Sequence, residues 1–220
     1  MVKRFSTNYN LTICRLERPM KRYLLHFLRT VLPVSLVLAL TSHLPNALAA
    51  DEAALREETR KTAVPVLPKV VRAMQEAVKE KGTVDAIPTC KEKAPQLLQD
   101  IRRQTGWNIR RVSLQTRHPE TGTPDVWEAR QLADFNIRAA NGVKPETLEA
   151  GEIVTTVDGR QVYRYMKALP VAEVCVSCHG GPETFSDDFK AALRKDYPRD
   201  RATGYHVGQV RGALSVIRPL

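Results

Sequence analysis

The chain is poor in cysteine, histidine and aromatic residues: four Cys, five His and 6% Phe, Trp and Tyr among 220 residues. No internal repeat and no low-complexity tract is visible, which argues against a repeat array or a disordered linker. No uninterrupted apolar run reaches the length of a membrane span. The densest stretch, Val31 to Leu40, follows Arg29 and contains Pro33, whereas a spanning helix needs about 20 apolar residues. Beyond residue 49 there is no Lys/Arg run with interleaved aromatics, so the basic balance is not read as a nucleic-acid footprint, and no nucleic-acid partner is expected.

The charge resides mostly at the N-terminus. Residues 1–49 hold Lys3, Arg4, Arg15, Arg18, Lys21, Arg22 and Arg29 against the single acid Glu17, which is +6 of the formal +10 and leaves +4 on the remainder. After Met20 come Lys21 and Arg22, an apolar stretch, and Ala47-Leu48-Ala49. That is the layout of a secretory signal peptide, with cleavage expected after Ala49. Residues 1–49 are thus expected to be a leader, residues 50–220 a single domain, and the protein exported, periplasmic in a bacterial setting. Membrane contact follows only if the leader stays uncleaved. The 171 residues from Ala50 onward suffice for one domain with a packed core.

Helix periodicity recurs over residues 51–81, with a break expected near Pro65 and Pro68 and a stop at Gly82. A second helix is predicted from Pro88 or Thr89 to Arg103, with Thr89 and Glu92 in capping-box spacing and Gly106 beyond its end. Trp107–Leu114 alternates like a strand, with a phase slip at Arg110-Arg111 that suggests a bulge. His118 to Pro124 reads as a loop. Asp125–Ala140 reads as a helix capped by Asp125, with Trp127, Leu132, Phe135 and Ile137 inward. Glu152–Val157 and Gln161–Leu169 flank Asp158-Gly159-Arg160, a strong hairpin signal. Phe185–Leu193 is helix-like, and Gln209–Ile217 reads as a last strand. The sum is an α+β domain: one antiparallel sheet with flanking helices, mostly on one side.

The chemistry concentrates at Cys175-Val-Ser-Cys178-His179. C-x-x-C-H is the attachment pattern of c-type haem. Two cysteines three apart can each form a thioether to one porphyrin edge, and the following histidine is carried onto the ring, where its imidazole ligates iron. Gly180 and Gly181 relax the backbone behind it and keep side chains away from the porphyrin. A thioredoxin-like dithiol belongs early in a βαβ unit and leaves His179 unexplained. A zinc site needs four ligands, for which adjacent Cys178 and His179 suit a tetrahedron poorly. One covalently attached haem c is therefore the expected cofactor.

His179 occupies one axial position of the iron. Candidates for the other are His118, His206, Met74, Met166, a lysine and Cys90. His118 and His206 lie in polar loops; Met74 and Met166 sit at apolar positions where packing is the plainer reading. Cys90 has no disulfide partner once two thioethers form, and it lies near a helix start, where the dipole favours thiolate. It is an axial ligand, a buried inert thiol or an intermolecular disulfide. Arg110, Arg111 and Arg117 are candidate contacts for haem propionates, against the reading of a solvated basic face.

The chain resembles a family of single-haem c-type proteins with a PAS-like fold, also found as extracytoplasmic sensor modules of histidine kinases. The resemblance runs through Cys90-Lys-Glu-Lys-Ala94-Pro95, Gly106-Trp107, Arg110-Arg-Val-Ser-Leu114, Arg117, Pro124-Asp-Val-Trp127-Glu128, Phe135, Cys175–Gly180, Tyr197-Pro198-Arg-Asp200, Ala202-Thr203-Gly204-Tyr205 and Arg211-Gly212-Ala213. It implies a PAS-like sheet cradling the haem, with His179 and a cysteine at the position of Cys90 as axial ligands. The stretch from His118 to Pro124 departs from the family's usual short Asn-Pro segment. No output domain precedes Leu220, so the free-standing form is expected.

Electron transfer or redox sensing is the expected function, since a thiolate ligand stabilises Fe(III). A haem-based gas sensor with a displaceable ligand is the alternative, and a peroxidase ranks third. The expected partners are a redox protein or a small-molecule oxidant or gas.

Overall fold

The computed structural model describes residues 44–220, of which Ala47–Leu220 form one compact unit. The leader expected over residues 1–49 lies outside the described residues, apart from Leu44–Ala49, which begin the first helix. Among the described residues no helix is long and apolar enough to cross a membrane.

Three helices come first: α1 (Leu44–Ala63), α2 (Val66–Asp85) and α3 (Ile87–Thr105). Pro65 separates α1 from α2, whereas Pro68 falls in the first turn of α2, where a missing N–H leaves no intrahelical bond unmade. Gly82 adopts φ 77°, ψ 174° and kinks the end of α2, a conformation that only glycine takes without strain. Thr89 is not the cap of α3. The N-cap is Ala86, with no side-chain bond, and Thr89 already lies inside the first turn. Gly106 closes α3 at φ 71°, its N–H donating to the Arg102 carbonyl at 2.8 Å.

Four strands, β1 (Asn108–Val112), β2 (Glu149–Thr155), β3 (Gln161–Pro170) and β4 (Val210–Pro219), make one antiparallel sheet in the order β1-β4-β3-β2. β1 pairs with β4 without a bulge, Ile109 facing Val216 and Val112 facing Ala213. The register shift falls instead at Leu169/Pro170, where β3 leaves β4. The β2–β3 hairpin turns at Asp158-Gly159 as expected, with the Thr156 N–H donating to the Arg160 carbonyl at 2.8 Å. The loop from His118 contains a single helical turn, α4 (Pro119–Gly122).

Helices cover both faces of the sheet, not mainly one. Alternation along the strands sends Ile109, Tyr163, Tyr165, Leu214 and Val216 toward Val66, Val70, Ala94 and Leu98 of α2 and α3. It sends Val112, Met166, Ala168 and Ala213 toward Leu132 and Phe135 of α5 (Val126–Ala140). A fully buried Phe contributes about 2–3 kcal/mol by area, and Phe135 is 0% exposed. Ile137, expected inward, is 62% exposed because it falls on the outer side of α5.

α5 begins with the capping box expected at Asp125: its carboxylate accepts from the Glu128 N–H at 2.9 Å, and Glu128 accepts from the Asp125 N–H at 2.8 Å. Glu128 is wholly buried and pairs with Arg110, while the Ser215 hydroxyl donates to it at 2.6 Å. This buried pair ties α5 to β1 and β4. Two further helices, α6 (Glu173–His179) and α7 (Asp187–Asp196), follow β3, and the segment from Tyr197 to Gln209 returns to β4.

Candidate functional site

The C-x-x-C-H sequence lies wholly within α6, whose first two residues are Glu173 and Val174. The helix is short because Gly180 ends it: the Gly180 N–H donates to the Val176 carbonyl at 2.8 Å. A Cβ on Gly180 would stand 2.5 Å from that carbonyl oxygen. Glycine is required here by the helix end itself. At Gly181 the nearest obstacle is only the flexible end of Glu183.

The segment after α7 fastens onto α6. The Gly204 N–H donates to the Gly180 carbonyl (2.7 Å) and the Tyr205 N–H to the His179 carbonyl (2.9 Å). His179 Nδ1 lies 2.7 Å from the Ala202 carbonyl oxygen. A carbonyl only accepts, so the proton sits on Nδ1 and Nε2 keeps its lone pair. Arg211 Nε is 3.3 Å from the same Nδ1, but a protonated nitrogen cannot accept, and the shorter carbonyl contact sets the tautomer. Burial, with the Arg117 and Arg211 cations beside it, holds the imidazole well below its ordinary pKa, so it is neutral.

Arg117 is the clamp between these parts. Its Nε donates to Asp200 at 3.0 Å and one terminal nitrogen to the Cys178 carbonyl at 2.6 Å. Arg211 donates to the Ser113 hydroxyl (2.9 Å) and the Gln115 carbonyl (3.2 Å), and its guanidinium stacks over Tyr205 at 5.2 Å. Burial lowers the Arg211 pKa to about 10.

Cys178 and His179 open onto a groove of about 420 Å³ that Cys90, Met74, Arg111, Arg117, His118 and Arg211 also line, a volume within the range of small-molecule and cofactor sites. The topology thus joins residues some 90 positions apart in sequence: α3 brings Cys90 and α6 brings Cys178 and His179. Cys175, Cys178 and Cys90 are all free thiols. The Cys90 thiol donates to the Met74 thioether at 2.8 Å. Burial pushes it up, with Cys178 adding to the effect and Arg111 and Arg117 opposing it. The thiolate expected from the helix start alone is therefore outweighed by burial in this arrangement.

The remaining sequence candidates separate. Arg111 lines the groove, with the Cys90 thiol and Tyr197 acting on its guanidinium. Arg110 also lines the groove, with its guanidinium paired to Glu128 and a further bond to the Thr123 carbonyl at 3.2 Å that brace α5. His118 stands at the groove beside Glu120 (3.0 Å) and edge-on to Tyr197. Met166 is fully buried against α5, and His206 is exposed away from the groove. Sequence reasoning missed Arg211 and Asp200 as parts of the site. Both lie inside matched motifs, but nothing in their spacing shows that they fold back onto α6.

The sequence profile of the Tll0287-like family matches residues 45–219. The chain belongs to that family. Among solved structures it is similar to the crystal structure of the cyanobacterial heme-protein Tll0287, with 21% identity, 74% of this chain and 95% of that chain covered, and a TM-score of 0.54. At that identity the likeness speaks for the α+β fold. The order β1-β4-β3-β2 is compatible with the PAS-like sheet expected from the sequence. No curated protein matches.

Proposed function

We propose that this member of the Tll0287-like family is an exported, single-haem c-type protein that transfers electrons or senses redox state. The observation that carries the reading is the state of His179: its Nδ1 proton is held by Ala202, and Nε2 is free beside Cys178 in the same groove as Cys90.

Cys178, His179 and Cys90 line the groove as a haem would require, while Cys175 lies one helical turn back on α6, packed against Val171, Ala202 and Tyr205. Cys175 and Cys178 would hold it through thioethers, and His179 Nε2 and Cys90 Sγ would be its axial donors. The charge also fits. Arg111, Arg117 and Arg211 all act on His179, whereas Asp200 is the carboxylate paired with Arg117. Positive charge gathered at one groove is costly without a counter-charge, and two propionates would supply one. When bound, a haem supplies one-electron Fe(III)/Fe(II) chemistry. The chain's own part is to orient the imidazole through Ala202, to clamp α6 through Arg117, and to offer a sulfur from α3.

Cleavage of the leader after Ala49 would deliver the domain to the compartment where haem c is attached. The heme-protein named among the solved structures supports haem as the ligand of this groove. A redox protein, or a small-molecule oxidant or gas, is the proposed partner. The test is expression with haem-attachment machinery, followed by haem staining on a denaturing gel. Stain that persists in the wild type and disappears in Cys175→Ala/Cys178→Ala is expected. An unstained wild-type band overturns the reading.

A further inference from the structure

Two sulfur atoms, not one, face the groove from the α2–α3 side. Val70, Met74 and Ala77 lie on one side of α2 at helical spacing, and Val70 and Ala77 are buried. Met74 differs from both: it is only half-buried, it lines the groove, and it belongs to none of the four apolar clusters. Its Sδ is 2.8 Å from Cys90 Sγ. A methionine that merely filled space would be wrapped by apolar side chains instead.

We propose that Met74 is a second sulfur ligand for the iron position assigned to Cys90, taken up when the iron is reduced. The inference rests on the haem reading above. A thiolate carries negative charge and stabilises Fe(III); a neutral thioether favours the less charged Fe(II) and raises the potential. Met is unbranched and has three rotatable bonds, so two sulfurs this close can exchange through rotamer changes without moving a helix. The step balances as follows. One electron from an external one-electron donor reduces Fe(III) to Fe(II). The Fe–S bond to Cys90 breaks, and the sulfur keeps the electron pair and takes a proton from solvent to become a thiol. A lone pair of Met74 Sδ forms the new Fe–S bond. Reoxidation reverses each change. The ferrous iron then has no open face, and an incoming gas must displace Met74.

The experiment compares the wild-type holoprotein with Met74→Leu, a volume-conserving change, in absorption and magnetic circular dichroism before and after dithionite. The ferric spectra should coincide, because Cys90 is unaltered. Reduced wild type should be six-coordinate and low-spin, and reduced Met74→Leu five-coordinate and high-spin. CO should bind the variant about tenfold faster or more, since its site is no longer shared. Identical ferrous spectra and CO rates in the two proteins overturn the proposal, as does a five-coordinate or thiolate-bound ferrous wild type. Should the variant fail to fold, methyl-labelled methionine in the reduced wild type decides: a ligating Met74 methyl is shifted far upfield by the porphyrin ring current, and an ordinary shift overturns the inference. A wild type lacking haem altogether sinks the parent reading as well, and is recognised by the missing Soret band in both oxidation states.

Discussion

The side of the groove that carries His179 is fastened by hydrogen bonds, whereas the side that carries Cys90 and Met74 is held by apolar packing. Around α6, Ala202, Gly204 and Tyr205 each make a backbone or imidazole bond, and Arg117 adds a part-buried ion pair to Asp200. On α2 and α3, Val70, Ala94 and Leu98 pack on Ile109 and Leu214, and among the described residues Cys90 has only the Met74 thioether for a side-chain hydrogen-bond partner. Directional bonds fix one geometry, whereas apolar contacts tolerate several. The lesson is one of division of labour: one wall orients a ligand permanently and the other can change what it presents.

That contrast can be broken by substitution. Replacing both Cys175 and Cys178 with Ala has the largest expected effect, complete loss of covalently held haem on a denaturing gel. Asp200→Ala comes next. It leaves Arg117 charged, buried and without its carboxylate, which should cost about 3–5 kcal/mol in chemical denaturation and also disturb the His179 ligand signature. Leu98→Ala on the opposite wall should cost a comparable 2–5 kcal/mol yet leave that signature intact. If both variants alter the spectrum equally, the walls are not distinct. Gly180→Ala should cost about 1–3 kcal/mol, because its Cβ overpacks against the Val176 carbonyl. Tyr205→Phe should be the mildest, about 0.5 kcal/mol by thermal melting, since the hydroxyl makes only a 3.5 Å contact with the Arg211 carbonyl.

Much of the frame was legible because local signals carried it. Asp158-Gly159 specified the hairpin, Asp125 with Glu128 specified the start of α5, and the spacing of Cys175, Cys178 and His179 pointed to the segment that forms α6. The misses share a different cause. Thr89 had the right spacing for a cap, but the cap of α3 is Ala86, three residues earlier. Arg110 and Arg111 are neighbours of one type and both line the groove, but only one of them also has Glu128 under α5 as a partner. Only the pairing of β1 with β4 decides which is which. Asp200 and Arg211 reach α6 through a long return segment, and no sequence period encodes such a contact. Helices on both faces of the sheet were equally hidden, because β3 and β4 bury residues of both parities.

The account turns on covalent haem in a groove bounded by His179 and Cys90. Its most direct test is intact-protein mass spectrometry under denaturing conditions on the purified exported chain, made alongside Cys175→Ala/Cys178→Ala. The predicted result is the mass of the chain from Ala50 plus one haem, with the haem increment absent from the double variant. A wild-type mass equal to the polypeptide alone, from cells that attach haem to a control cytochrome, would contradict it.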